Sequence, residues 1–180
     1  MINILMAAIL ISGLHKQPGK ELTEMQHTNQ VDEFCSEYHL AYDDLDHPNS
    51  ILTREGDRAF ISDVEIEAIE RIVMAEARGE SCECQEAIAT VILNRWQSGK
   101  FGNTIADVIY AKGQFAAPYT GEVSMSVNLA VKNAIIYYNT YCMCIPDQIF
   151  YFRAGKYHCF GTPYCSIDNT YFSGSSDMVL

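Results

Sequence analysis

Residues 65–95 constrain this chain most, because an apolar helical stripe there ends on a carboxylate. Ile69, Ile72, Val73 and Glu76 fall at i, i+3, i+4 and i+7, one face of an α-helix. Such a stripe docks a helix on a core, and an ionised carboxylate at its end is costly unless something satisfies it. Gly79 terminates the helix, so Glu76 lies in the last turn, where the helix dipole disfavours negative charge. Two readings fit. Glu76 is a working acid at a cleft, or it reaches the helix rim and pairs with Arg78 or Arg95 as part of the scaffold.

The neighbouring punctuation defines the other elements. Ser62 with Glu65 three residues later is a capping box, predicting a helix over about 63–78. Ser81 caps a second helix, 82–98, stopped by Gly99, with Ala87, Ile88, Val91 and Ile92 as its apolar face. Asn94 and Arg95 sit roughly three to four turns along it, far from the connecting turn near Glu76, which gives them a scaffold role. Thr104 and Asp107 open a short helix through Tyr110. The Gly- and Pro-bearing segment 111–124 is a loop carrying Gln114, Phe115 and Tyr119, a suitable cleft wall. A fourth helix, 126–139, places Val127, Ala130, Val131, Ala134 and Ile135 on one side. Beyond Pro146 the period changes, and 148–152, 157–160 and 169–173 read as short strands split by Gly155, Gly161 and Pro163. The fold class is α+β, mainly α, with a small antiparallel sheet in the C-terminal part.

Residues 1–57 form a separate stretch: a short apolar run at 4–14, then an acidic linker, with the main domain at 58–180. The run is too short to span a bilayer and has the length of an export-signal core, though no basic residue precedes it. A buried N-terminal element is the plainer reading. Asp43, Asp44 and Asp46 lack the glycine and terminal Glu of a calcium loop and read as solvated linker.

A net charge of −11 excludes a nucleic-acid partner, which needs a basic surface, and argues against docking on anionic lipid or stable membrane insertion. A neutral or cationic polymer stays open as ligand, and nothing calls for more than a monomer. The seven cysteines allow buried thiols or inter-segment disulfides about equally, with a zinc site using His158 behind both, because the C-x-C spacings are tighter than structural zinc uses.

Several separated blocks then carry a resemblance: MAEARGE at 74–80, AIATVILNR at 87–95, FGNTIADVIY at 101–110, GQF at 113–115 and YFRAGKYHCFGTPYCSIDNTYFS at 151–173. In this order they resemble the catalytic domain of the spore cortex-lytic, SleB-like cell wall hydrolases, over roughly residues 65–173. The resemblance implies a lysozyme-like, transglycosylase-like helical domain acting on peptidoglycan glycan strands, outside the cell or at the wall, without cofactor or metal. It maps the catalytic residue onto Glu76, which would act first as acid and then as base in cleaving the MurNAc–GlcNAc linkage. It nominates Gln114 and Phe115 for substrate positioning, with Tyr151, His158, Tyr164 and Tyr171 as further substrate-binding residues. Glu80 is the nearby second carboxylate, and the turn at Gly79 aims it elsewhere. Where the family often has a histidine before the final Tyr-Phe, this chain has Thr170. The alternatives are a metal-dependent N-acetylmuramoyl-L-alanine amidase holding zinc through His158 and cysteines, and a wall-binding protein that no longer cleaves.

Overall fold

A computed structural model of the protein describes residues 49–53, 56–140 and 144–176. The apolar run at 4–14, the Asp43–Asp46 cluster, Cys35 and Cys142 lie outside the described residues. Helix α1 (Asp63–Ala77) starts on its capping box: the Ser62 hydroxyl accepts from the Glu65 amide at 3.4 Å, and the Glu65 carboxylate accepts from the Ser62 amide at 2.9 Å. Helix α2 (Cys82–Ser98) is capped by Ser81 and stopped by Gly99 in the left-handed conformation. Buried Gln85 stitches the two together, its Nε2 donating to the carbonyls of Ala77 at 3.0 Å and Glu80 at 3.3 Å. Helix α3 (Ile105–Tyr110) has its own capping box from Thr104 and Asp107, and α4 (Met125–Thr140) packs mainly against α2.

α2 is the centre of the body, with residues 84–95 buried all round. Helices hydrophobic on every side are core helices. Ile69, Ile72 and Val73 of α1, Val127 and Val131 of α4 and Val108 of α3 are all without solvent exposure around it. Each such side chain contributes roughly 1.5–3 kcal/mol by leaving water.

The C-terminal sheet is antiparallel, in the order β3-β5-β4, from β3 (Ile149–Ala154), β4 (Thr162–Ile167) and β5 (Thr170–Gly174). The expected strand at 157–160 does not form. Residues 155–161 are instead an irregular connection, and the outer strand begins at Thr162 and includes Pro163. Pro163 fits because β4 pairs only with β5, so its missing N–H is not needed on the open side. Asp168, with φ of 51°, turns β4 back into β5.

β1 (Ser50–Leu52) and β2 (Arg58–Phe60) pair as a hairpin that straddles residue 57, and Ile51 is wholly buried in the core. The side-chain amide of Asn139 on α4 mimics a further strand, accepting from Leu52 N–H at 2.8 Å and donating to Ser50 O at 2.7 Å. The polar composition of the hairpin hid one apolar anchor. The described cysteines, Cys82, Cys84, Cys144, Cys159 and Cys165, are free thiols.

Two acids are buried against this core. Glu70 accepts from Asn128 at 2.6 Å, and burial pushes its carboxyl up. Glu86 on α2 goes further: burial pushes it up to about 7, opposed by hydrogen bonds from Cys144 and Asn133 and reinforced by Glu83. The folded protein therefore holds a proton that the unfolded chain has already lost between pH 4.5 and about 7. Stability falls as pH rises through that window, by an amount on the order of 3 kcal/mol at most. In Glu86→Gln that decline is expected to flatten. Melting temperatures of wild type and variant, measured across the window, check it.

Candidate active site

The end of α1, the last turns of α2, the loop after α3, β3 and the 155–161 connection surround a cleft of about 520 Å³. Glu76 opens onto it from the last turn of α1, half-buried, where the apolar stripe of Ile69, Ile72 and Val73 reaches the rim. Its Oε1 accepts a 2.6 Å hydrogen bond from the Ala116 amide. Its Oε2 has no hydrogen-bond partner among the described residues. Neither Arg78 nor Arg95 lies within ion-pair distance of it.

The Ala116 amide is held in place from both sides. Gly113, at φ of 77°, allows the tight turn in which Gln114 N–H donates to Ala111 O at 3.2 Å. Further along, Arg71 of α1 donates to the carbonyls of Tyr119 at 2.9 Å and Gly121 at 3.2 Å, while Tyr119 N–H donates back to Arg71 O at 3.1 Å. Glu67 pairs with Arg71 at 2.8 Å, one helical turn away.

Arg95 is the residue that sequence reasoning misplaced. It was given a scaffold role remote from Glu76, and it lines the same cleft. The long arginine side chain spans the axial distance that separates its place on α2 from the end of α1. Arg95 is 4% exposed, with Nε donating to Phe150 O at 2.7 Å and Nη1 donating to Gln114 Oε1 at 3.2 Å. Its guanidinium carbon lies 4.9, 4.8 and 5.8 Å from the ring centres of Phe101, Phe115 and Tyr151. Burial pushes its pKa down to about 10, with the charges of Tyr151 and Glu76 pulling it back up. Asn94 keeps the scaffold role: it is fully buried, and its Nδ2 donates to Pro146 O and Ile149 O, both at 2.9 Å.

The other expected residues divide. Gln114, Tyr151 and His158 line the cleft with Glu76. Phe115 does not; its ring lies partly buried behind Arg95 and 6.0 Å from Phe152. Tyr171 packs edge-on to Tyr157 at 5.0 Å, outside the lining, and Tyr164 stands on the outer strand β4. His158 Nε2 is 3.1 Å from Phe152 O, so that nitrogen carries the proton, and its ring stacks on Phe160 at 4.7 Å. Phe160 was read as a strand residue and is a cleft residue, 53% exposed.

Glu76 is the only carboxylate among the described residues lining the cleft. Glu80 belongs to a different group, with a ligand atom within 4.8 Å of those of Cys84 and Asp168. Asp168 there accepts from the Ser81 amide at 2.7 Å at the start of α2. His158 is not part of that group. Thr170 is buried and is not among the residues that line the cleft.

Residues 79–154 match the Cell Wall Hydrolase family. The matched segment includes Arg95, Gln114 and Tyr151 and begins three residues after Glu76. The chain is 40% identical over 75 residues to the spore cortex-lytic enzyme of Bacillus subtilis strain 168, covering 42% of this chain and 25% of that protein. It is 36% identical over 72 residues to the spore cortex-lytic enzyme of Bacillus cereus, covering 40% and 28%. The chain thus spans about a quarter of the length of these curated relatives. Among solved structures, the catalytic domain of the Bacillus cereus SleB protein aligns with a TM-score of 0.53 at 25% identity, over 62% of this chain and 91% of that domain. The mainly α, α+β architecture is shared with that SleB catalytic domain.

One backbone position shapes the cleft wall next to Phe160. Gly161 has φ of 81°, and a Cβ there would lie 2.5 Å from Gly174 O on β5. Gly161→Ala is expected to lose roughly 1–3 kcal/mol of stability, since both conformation and contact are violated. Denaturant unfolding of the two proteins measures it.

Proposed function

We infer that this domain is a lytic transglycosylase acting on peptidoglycan glycan strands at the cell wall, with Glu76 as its catalytic residue. The observation that carries the reading is that Glu76 is the single carboxylate lining the cleft among the described residues. An ordinary glycosidase works with two carboxylates flanking the scissile bond, at separations that distinguish inversion from retention. One carboxylate suffices where the substrate supplies the nucleophile. Glu76 would donate a proton to the glycosidic oxygen as the bond from C1 of N-acetylmuramic acid breaks. The carboxylate would then take the proton of the C6 hydroxyl as that oxygen closes on C1, giving a 1,6-anhydro ring. Protons balance, no water is consumed, and Glu76 ends protonated as it began.

The arrangement supports this cycle. Ala116 occupies Oε1, and Oε2 has no hydrogen-bond partner among the described residues, so one oxygen can serve both transfers. The exposed ring of Phe160 and the half-buried ring of Tyr151 offer apolar faces for a sugar, and Gln114 and His158 offer polar edges beside them. The names of the curated relatives, spore cortex-lytic enzymes, and the family description agree with a wall polymer as substrate. Among the described residues no helix is long and apolar enough to cross a membrane.

Mass spectrometry of the fragments released from purified peptidoglycan tests the reading. Wild type is expected to release fragments ending in 1,6-anhydro-muramic acid, and Glu76→Gln to lose at least about 10³-fold in rate with its fold intact. Reducing-end sugars would show that water is the nucleophile, and free stem peptides would show an amidase. A Glu76→Gln variant that keeps its rate would remove Glu76 from the chemistry.

A further inference from the structure

The cycle above uses the carboxylate of Glu76 but not the cation buried beside it. Three pieces of structure meet on the guanidinium of Arg95. Nε is spent on Phe150 O of β3, Nη1 on the side-chain oxygen of Gln114, and the ring of Phe115 lies against the charge at 4.8 Å. Gln114 is exposed, and Arg95 is its one side-chain hydrogen-bond partner among the described residues. The next residue but one, Ala116, gives the 2.6 Å hydrogen bond to Glu76. A path of direct contacts therefore runs from β3 through Arg95 and the 114–116 turn to the carboxylate.

We propose that Arg95 is a positioning residue that clamps the 114–116 turn against β3 and thereby sets the Ala116 amide that aims Glu76. The role rests on the reading of Glu76 as the acid and base, though the clamp can be observed without substrate. Guanidinium geometry matters here. Two separate donors point at two acceptors on different segments while the flat face receives rings, and an ammonium provides neither the fork nor the plane. A catalytic group displaced by about 1 Å can lose on the order of 10²-fold in rate. The effect falls on turnover rather than on binding.

The test uses the full chain and combines amide NMR with kinetics on purified peptidoglycan. In wild type the Ala116 amide proton is expected far downfield and slow to exchange, as suits a short bond to a carboxylate. Glu76→Gln should move it upfield and so identify it. Arg95→Lys and Gln114→Ala should move it the same way, with kcat lowered roughly 10- to 100-fold, and in Arg95→Lys with KM changed less than about threefold. If Arg95→Lys does not fold, Gln114→Ala decides, since Gln114 is exposed and packs into no core. An Ala116 resonance unmoved in every folded variant overturns the clamp, whatever the rates do. So does an Arg95→Lys protein with the wild-type resonance and rate, because a point charge would then suffice. Turnover surviving in Glu76→Gln would instead sink the acid–base reading, while the Ala116 shifts would still report on the clamp.

Discussion

A guanidinium left 4% exposed keeps its charge in a folded protein only if its donors and its face are occupied, and Arg95 collects those partners from around the cleft. Phe150 O and the ring of Tyr151 come from β3, Gln114 and the ring of Phe115 from the loop after α3, and the ring of Phe101 from the connection between α2 and α3. No carboxylate among the described residues pairs with it directly. The cost of burying the charge is therefore met by geometry, and any segment that drifts leaves a donor or a ring contact unmade. Helix, loop and sheet are held to one another at the place where Glu76 opens onto the cleft.

Charge in the cleft runs against that of the chain. The protein carries a net −11, yet among the described residues the cleft is lined by Arg95 and Arg153 against the single acid Glu76. An overall acidic surface would repel an anionic wall polymer at long range, but such repulsion between exposed charges is screened beyond about 8–10 Å in physiological salt. Within the cleft the local cations dominate, and polar and aromatic edges can act on a ligand once it has arrived. The acids that are truly buried, Glu70 and Glu86, lie on the core side of α1 and α2 and act on stability rather than on the cleft.

The sheet shows how an aromatic-rich sequence can hide a binding surface. Residues 157–160 alternate and look like a strand, but Gly155 and Gly161, both at positive φ, turn the chain out of the ladder on either side. Freed from pairing, Phe160 stacks on His158 and meets Tyr151 edge-on at 5.2 Å, presenting rings to the cleft. Pro163 was taken as a break between strands, and it sits instead inside the outer strand, where its missing donor faces no partner.

Local chemistry was enough for the helices. The capping boxes at Ser62 and Thr104, the stop at Gly99 and the stripes of Ile69, Ile72 and Val73 and of Val127 and Val131 act within a few residues, so they could be read directly from the chain. Glu76 was legible for the same reason: a carboxylate ending an apolar stripe is a local anomaly. What the sequence could not decide depends on segments far apart in the chain. Arg95 reaches Gln114 and Phe150 across 19 and 55 residues, and Ala116 reaches Glu76 across 40. Phe115 went behind the cleft, Tyr171 outside it and Phe160 into it because each ring's place was fixed by its packing partners. Periodicity reports which face of an element is apolar; only the packed fold decides what that face meets.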